Sequence, residues 1–140
     1  MFRLKPLCWV VYTDDMPERF GGYASGPCVK IRPKYLDDRG LLEHELVHVR
    51  QFWRSLGVEI FISNVYTMPR LLKLWGIFGD VEALVNASKK WKLRLEVEAY
   101  REQLKHYATD NTFLFAGFLV TKYGLDISVE EAMKLLRNME

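Results

Sequence analysis

The hydrophobic positions of this chain form short alternating runs near the amino terminus and helical patterns in the rest. Residues 7–13 and 28–34 are rich in β-branched and aromatic side chains, and apolar and charged residues alternate in the second run, as in a half-exposed strand. The glycine-containing residues 21–27 lie between them, which predicts a mobile connection. We therefore predict a small N-terminal antiparallel sheet whose second strand, ended by Pro33, lies at an edge.

Beyond residue 40, apolar residues recur at the spacing of helices. The predicted helices cover residues 41–56, 69–78, a long stretch from 87 or 88 to about 108, residues 111 or 112 to 123, and a last one from 129. Residues 58–65 fit either a strand or a helix. Residue types that cap or end helices stand at the expected places, with Asp37, Asp38, Asp80 and Ser128 before helices and Gly57 and Gly79 after them. The pattern predicts an α+β fold that is predominantly helical.

Composition narrows the class of protein. With 140 residues, 49% of them hydrophobic, and no repeat or linker, the chain is predicted to form one domain over residues 1–140. The net charge of +2 lacks the basic excess typical of nucleic-acid binding. No run reaches the roughly 18 apolar residues that span a bilayer, and residues 113–120 fit a buried helix. The N-terminal apolar run is too short for a signal peptide, and Cys8 and Cys28 form no disulfide framework. We predict a cytoplasmic protein with reduced thiols.

One short motif indicates a chemistry, and it is His44-Glu45-Leu46-Val47-His48. Imidazoles four residues apart on a helix project from one face, so both can reach a single zinc ion. A glutamate directly after the first imidazole is placed to handle the proton of a water activated there. Two of the three histidines in the chain fall in this motif. We therefore predict His44 and His48 as zinc ligands and Glu45 as the general base.

The helical wheel separates the two histidines from the apolar face of their helix. At about 100° per residue, His48 lies roughly 40° and Gln51 roughly 20° from His44. The opposite face, at about 140–200°, is apolar and is expected to dock on the core; it consists of Leu42, Leu46, Val49 and Trp53. The histidines therefore occupy a second face of a helix that is hydrophobic enough to be buried on both sides.

A catalytic zinc needs a third protein ligand and an open position. The long predicted helix carries two glutamates, Glu96 and Glu98. Glu96 borders the apolar, inward face, where a carboxylate without a partner is costly, whereas Glu98 lies about 200° away, on the far side. Glu96 is the predicted third ligand, with Glu98 as the alternative. His106 is a more distant alternative, because it can pair with Glu102 one turn earlier.

Together the two helices resemble those of gluzincin metallopeptidases, in which H-E-x-x-H is followed on a later helix by E-x-x-A-D or E-x-x-A-N. Here the second pattern is EVEAY, residues 96–100. The stretches HELVHVRQ and LEVEAYREQL, followed by KYGL and VEEA, are similar to small metallopeptidases of bacteriophage and bacterial genomes. The resemblance covers residues 41–140. It implies a minimal zincin-like domain in a bacterial or phage-infected cell, with zinc as cofactor, a peptide or protein as substrate, and the same four residues as ligands and base.

The chain departs from that family pattern at Tyr100, where larger gluzincins have an aspartate or asparagine that orients a ligand histidine. Tyr100 lies one turn after Glu96 and can donate a hydrogen bond to a ligand or to a developing oxyanion. We therefore include Tyr100 with Glu45 among the predicted catalytic residues. Tyr12, Tyr23 and Arg32 are alternatives for the oxyanion donor.

These residues predict a zinc-dependent hydrolase, most simply a metallopeptidase. Zinc would activate a water for attack on a peptide carbonyl, and Glu45 would take the proton and pass it to the leaving amine. The predicted edge strand, residues 28–32, is expected to align an extended peptide by strand addition. Residues 21–27 would then form a flexible rim of the cleft.

Two other functions are considered. A catalytically inactive zincin-like protein would use a structural or vestigial zinc site and would bind a partner through aromatic residues such as Trp75, Ile77 and Phe78. A membrane-associated role would rest on the apolar residues 71–78 and 113–120, but both runs are short and lie beside polar residues.

Overall fold

The computed structural model describes residues 7–137, and most of them are helical. The strands are β1 (Trp9–Tyr12), β2 (Gly22–Ser25) and β3 (Cys28–Ile31). The helices are α1 (Arg39–Ser55), α2 (Val58–Asn64), α3 (Pro69–Trp75), α4 (Val81–Leu104), α5 (Thr112–Thr121) and α6 (Val129–Arg137), with short 3-10 turns at Pro33–Tyr35 and Val65–Thr67. The fold is α+β and predominantly helical, as predicted.

The sheet is mixed, and the prediction of an antiparallel sheet is wrong in this respect. Its strand order is β1-β3-β2, with β3 parallel to β1 and antiparallel to β2. Residues 21–27, predicted as a mobile connection, supply β2. Gly26 has a φ of 58°, a left-handed conformation that glycine adopts at little cost, and the chain turns back there into β3. The two strands predicted from the sequence are therefore neighbours that run in the same direction.

The central position of β3 corrects a second prediction. Because β3 has a partner on each side, residues 28–32 are not an edge strand and cannot add a peptide. Pro33 follows the last paired residue, Ile31, and starts a 3-10 turn, so its missing N–H costs the sheet no hydrogen bond. The edges are β1 and β2. Cys8 and Cys28, on neighbouring segments of this sheet, are both free and partly buried.

The predicted histidine-bearing helix is α1, which agrees with the prediction within two residues at each end. Asp38 caps it by accepting a hydrogen bond from the backbone N–H of Leu41 at 3.0 Å. The same carboxylate oxygen accepts a bond from the Tyr107 hydroxyl at 2.7 Å. A Cβ on Gly40 would lie 2.6 Å from that hydroxyl, so the glycine permits the close approach. These contacts tie the start of α1 to the chain just beyond α4.

The long helix α4 runs without a break from the predicted cap at Asp80, whose side chain accepts from the N–H of Ala83 at 3.2 Å. Ser88, considered as a possible start of the long stretch, is fully buried inside the helix. Its hydroxyl donates to the Ile62 carbonyl at 2.6 Å and accepts from the Tyr66 N–H at 3.0 Å. Ser88 therefore joins α4 to the end of α2.

The remaining helices differ from the predictions in detail. The ambiguous residues 58–65 are helical, and α3 ends three residues before the predicted end. Ser128 caps α6, as predicted. In α5 only one face is buried, because Phe113 is 70% exposed while Phe115 and Leu119 are buried. None of the helices within residues 7–137 is long and apolar enough to cross a membrane.

Two hydrophobic clusters flank the α1–α4 pair. One lies between the sheet and α1 and consists of Val29, Ile31 and Val49, with Leu41, Leu42 and Leu46 packed against them. The other joins α4, α5 and α6 and consists of Val97, Tyr100, Phe115, Ala116, Leu119, Ala132 and Leu136. The other side of α1 buries Val47 and Gln51, so the helix is buried on both sides, as predicted. Trp53, expected on the core face, is 38% exposed.

Candidate metal centre

Three predicted side chains meet between α1 and α4. His44 Nε2 and His48 Nε2 lie 3.3 Å apart. The Glu96 carboxylate approaches both, with Oε2 3.4 Å from His44 Nε2 and Oε1 3.4 Å from His48 Nε2. All three side chains are largely buried. Packing of α1 on α4 therefore brings the two imidazoles together with a carboxylate that lies 48 residues after His48 in the sequence.

This geometry fits a metal ion. Ligand atoms about 2.0–2.1 Å from a tetrahedral zinc lie roughly 3.3–3.4 Å from one another. The two imidazole nitrogens have this separation, and each of them has one oxygen of the Glu96 carboxylate at 3.4 Å. Among residues 7–137, the buried side-chain atoms without a hydrogen-bond partner are Glu96 Oε2 and His44 Nδ1. A buried carboxylate oxygen without a partner is costly, and a cation between the three groups would satisfy it. His44, His48 and Glu96 could therefore hold a metal ion.

The charges of the centre are strongly coupled. Burial lowers the pKa of His48, but the Glu96 and Glu45 carboxylates and the bond to Gln51 raise it to about 9. Burial likewise raises the pKa of Glu96, but His48, His44 and Lys92 lower it well below its usual range. At neutral pH and without a metal, these shifts favour an ionised Glu96 carboxylate beside a protonated His48. Metal binding would have to displace that proton.

The two histidines are held differently. His48 Nδ1 lies 2.8 Å from Gln51 Oε1, and Gln51 Nε2 donates to the Leu95 carbonyl at 3.0 Å. The amide is therefore oriented so that its oxygen accepts from His48 Nδ1, which leaves Nε2 free as a ligand. Gln51 is fully buried. No such partner holds His44 Nδ1; the Tyr100 ring packs edge-on against this imidazole, with centroids 4.4 Å apart.

Glu45 lies beside the three side chains and not among them. Its carboxyl is buried, and burial raises its pKa, which the charges of His44 and His48 partly oppose. Strand β2 passes directly against it, because a Cβ on Gly22 would lie 3.1 Å from Glu45 Oε1. The glycine lets the strand approach the carboxyl, so Glu45 lies between the strand and the cluster.

Glu98, the alternative third ligand, faces away from the cluster. Its side chain is 47% exposed and pairs with Arg54 Nη1 at 3.3 Å. His106, the more distant alternative, lies 3.8 Å from Glu102, as predicted. Of the candidates considered from sequence, Glu96 is the one that the fold brings to the histidines.

Tyr100 is buried behind the cluster. Its hydroxyl lies 3.0 Å from the hydroxyl of Tyr123, and burial raises its pKa. Tyr123, and not Tyr100, is among the residues that line the cavity in front of His44, Glu45 and Glu96. The role of Tyr100 as an oxyanion donor stays a prediction. Tyr100 is connected to the cavity through its hydroxyl contact with Tyr123, which lines the cavity.

The cavity in front of the cluster has a volume of about 630 Å³, within the range of ligand-binding clefts. One wall is β2 with the turn after it, and the other is α2 with the 3-10 turn Val65–Thr67. Arg19 and Phe20 from the loop before β2, and Lys122 and Tyr123 from the chain after α5, also line it. The rim predicted as flexible is thus an ordered strand along the cavity.

The front of the chain contributes differently from the prediction. Tyr23 lines the cavity, but Tyr12 lies in β1 at the other edge of the sheet. Arg32 holds the loop that precedes β2, donating to the carbonyls of Phe20 at 2.7 Å and Pro17 at 2.9 Å. Its guanidinium also pairs with Asp14. Arg32 therefore holds this loop in place through its guanidinium group.

Lys92, Tyr66 and Tyr123 are among the cavity residues that were not predicted from the sequence. Lys92 Nζ lies 3.4 Å from Glu96 Oε1, and its position one turn before Glu96 is a signal that the sequence does contain. The Tyr66 hydroxyl donates to the Tyr123 carbonyl at 2.6 Å. Nothing in the sequence signals that contact, because it joins segments 57 residues apart.

Comparisons with protein-family models, curated proteins and solved structures found no match to this chain.

Proposed function

We propose that this chain is a zinc-dependent hydrolase, most simply a metallopeptidase, with zinc held by His44, His48 and Glu96 and with Glu45 as general base. The observation that carries the proposal is the convergence of two imidazole nitrogens and one carboxylate, at separations of 3.3–3.4 Å, beside a cavity. Two imidazoles and a glutamate are a ligand set of catalytic zinc.

Zinc at this point would supply a Lewis acid and lower the pKa of a bound water to about 7. The protein supplies the proton transfer. Glu45 lines the cavity in a buried position that raises its pKa, and a carboxylate so shifted takes a proton near neutral pH more readily than an exposed one. Glu45 accepts the proton of the attacking water and delivers it to the leaving amine.

Tyrosines on the cavity wall can stabilise charge that develops on the substrate oxygen. Tyr123 lines the cavity, and the Tyr100 hydroxyl is hydrogen-bonded to its hydroxyl. Tyr123 therefore serves as the donor, while Tyr100 positions Tyr123 and packs on the His44 ring. The role of oxyanion donor, predicted for Tyr100, is thus divided between Tyr123 and Tyr100.

An extended peptide can be aligned by β2. This strand is an edge of the sheet and lines the cavity along its length. Unpaired backbone groups at such an edge bind a peptide by strand addition. The role predicted for residues 28–32 thus passes to Gly22–Ser25, which lies directly against Glu45.

The ligand number separates catalysis from the alternative of an inactive zincin-like interaction protein. A structural zinc is almost always bound by four protein side chains. Within residues 7–137 the cluster holds three, and no further His, Cys, Asp or Glu joins it. This supports a centre with a position open to water and substrate. The exposed Ile77 and Phe78 lie outside the set of cavity residues.

The experiment compares Glu45→Gln with Glu43→Gln, which changes a neighbouring glutamate outside the cavity. Zinc is measured by elemental analysis, and hydrolysis by mass spectrometry of a random peptide mixture. We expect about one zinc per chain in both variants and a loss of hydrolysis by about 10²–10⁴-fold in Glu45→Gln alone. Undiminished hydrolysis by Glu45→Gln rejects the assigned base, and a zinc-loaded wild type that cleaves nothing favours the interaction protein.

A further inference from the structure

The cavity carries more positive charge than its catalytic groups require. Arg19, Lys92 and Lys122 all line it. The carboxylates that line it are Glu45 and Glu96, and the proposed function assigns both, one as base and one as ligand. The three cations are therefore the charged groups of this cavity that have no assigned role.

Lys92 is held at the edge of the cluster. Its ammonium lies 3.4 Å from Glu96 Oε1 and 3.4 Å from the side-chain oxygen of Asn64, and it lies over the Tyr123 ring at 5.4 Å from the centroid. A metal held by Glu96 would neutralise this carboxylate in place of the Lys92 ammonium. The ammonium then keeps its polar contact with Asn64 and has charge available for another anion.

Lys122 and Arg19 contact aromatic rings instead of carboxylates. Lys122 Nζ lies 4.2 Å from the centroid of Phe118, and the Arg19 guanidinium lies 4.7 Å from that of Phe20. Neither takes part in the ion pairs between side chains of residues 7–137. Lys122 is half-buried, so its charge is screened less than that of an exposed lysine.

Lys92 and Lys122 both line the cavity together with Tyr123. Lys122 precedes Tyr123 in sequence, Lys92 lies over the Tyr123 ring, and the Tyr66 hydroxyl closes this wall by its bond to the Tyr123 carbonyl. Arg19 lies near the same wall. Burial raises the pKa of Tyr66, and the positive charge of Arg19 partly offsets this rise. An anion bound in the cavity beside Tyr123 would be attracted by both lysines, and the metal centre lines the same cavity.

We propose that Lys92 and Lys122, with Arg19 at the rim, form an anion subsite that binds a carboxylate of the peptide substrate beside the bond to be cleaved. The inference rests on the proposed function and adds the substrate class, which is peptides with a carboxylate near the scissile bond. The carboxylate can be an acidic side chain or the C-terminus, since both present the same group.

The test measures binding, so that it does not depend on turnover. Full-length, zinc-loaded Glu45→Gln protein is titrated by calorimetry with four versions of one short peptide. The versions combine either of two C-terminal groups, a carboxylate or an amide, with either of two residues, a glutamate or a glutamine. We expect the fully neutral version to bind about 10-fold or more weakly than the best acidic version. Comparison of the two singly acidic versions identifies whether the C-terminus or the side chain is bound.

The matched variants are Lys122→Met, which removes the charge from the cavity, and Lys134→Met, which removes an exposed charge on α6. Lys122→Met should lose the preference for acidic versions and keep the affinity for the neutral one, and Lys134→Met should change neither. Lys92→Met should act like Lys122→Met, and its zinc content shows whether the metal site is intact. Retention of the full preference by Lys122→Met overturns the subsite.

The remaining outcomes separate the two proposals. Equal binding of all four peptides, or binding of none, overturns the subsite, and hydrolysis by the wild type without acidic preference then leaves the hydrolase standing. Selective binding that Lys122→Met abolishes, with no cleavage by the wild type, supports the subsite and rejects the hydrolase. Displacement of the acidic peptide from the Glu45→Gln protein by a single-stranded oligonucleotide, with loss of that oligonucleotide binding on Lys122→Met, would assign the cations to phosphate and overturn the proposal.

Discussion

Two groups of histidine and glutamate side chains lie where α1 and α4 pack. In both groups the side chains are close together, but the groups differ in burial and in their hydrogen-bond and ion-pair partners. His44, His48 and Glu96 form the first group. The second consists of Glu43, Glu102 and His106, whose possible ligand atoms also lie within 4.8 Å of one another. By distance alone both could hold a metal ion.

The second group already has its partners. Glu43 pairs with Arg39 at 2.8 Å, and Glu102 pairs with Lys105 at 3.0 Å. The bond from Lys105 lowers the pKa of Glu102. The side chains of Glu102 and His106 are 29% and 28% exposed, so water can solvate them. Nothing in this arrangement requires a cation.

The first group is buried, and one oxygen of Glu96 has no hydrogen-bond partner. Its charges are balanced against each other in a space with little water, where a carboxylate without a full set of partners is costly. A cavity opens in front of the first group, and none of the three residues of the second group lines it. The comparison shows that burial and missing hydrogen bonds, more than distance, distinguish a candidate metal centre from a surface network.

The largest difference between the two groups should appear on removal of one carboxylate charge. Glu96→Gln should lose the zinc that we expect the wild type to bind, because a neutral amide is a poor ligand and leaves the two imidazoles with one partner fewer. Glu102→Gln, the same change on the same helix, should keep about one zinc per chain. Elemental analysis after dialysis measures both, and equal zinc in the two variants would remove the distinction.

The pH dependence should come next in size. The folded pKa of His48, raised to about 9, lies above its unfolded value of about 6.5, so its proton stabilises the metal-free protein fully below pH 6.5 and this stabilisation is lost as the pH rises to about 9. Because zinc must displace that proton, zinc affinity should rise over the same range by up to about 10-fold per pH unit. Thermal unfolding and zinc titrations at several pH values measure both trends. A zinc affinity that is constant above pH 6.5 would contradict the raised pKa.

A smaller effect is expected at Gln51, which orients His48. Gln51→Leu keeps the volume of this buried side chain but removes the acceptor for His48 Nδ1, and zinc affinity should fall by about 10–100-fold. Glu98→Gln, which changes another contact of the same amide, is the control and should stay near wild type. Competition with a zinc chelator gives both affinities, and an unchanged value for Gln51→Leu would show that His48 needs no such support.

The smallest effect is expected in the second group. His106→Ala should change the free energy of unfolding by about 1 kcal/mol or less, because partly exposed ion pairs contribute little. Chemical denaturation measures this difference. A loss of several kcal/mol, or a loss of zinc, would mean that the second group has a role like that of the first.

The metal ligands could be predicted from the sequence because the features that indicate them lie within short stretches of the chain. The two histidines are four residues apart on one helix, and Glu96 is distinguished as a carboxylate at the border of an apolar face, so local sequence was sufficient to nominate all three. Gln51 also lay on the histidine face. The caps at Asp38, Asp80 and Ser128 are local features too, and the structure confirms them. The bounds of the long helix were predicted less closely, because α4 spans Val81–Leu104 and the predicted stretch ran from 87 or 88 to about 108.

The parts that were missed depend on how distant segments meet. The alternation of residues 7–13 and 28–34 indicates strands but not their relative direction, which depends on the path of the chain between them. That path includes β2, where glycine composition suggested mobility. The cavity wall at Tyr66 and Tyr123 arises only when the chain after α2 meets the chain after α5. No periodicity within either segment encodes that contact.

Diffraction from crystals soaked with zinc, measured on both sides of the zinc absorption edge, tests the central claim most directly. The structure predicts one anomalous peak per chain, within bonding distance of His44 Nε2, His48 Nε2 and the Glu96 carboxylate, with Glu45 beside it and not bound to it. A peak at Glu43, Glu102 and His106 instead, or none between the two histidines and Glu96, would contradict this account.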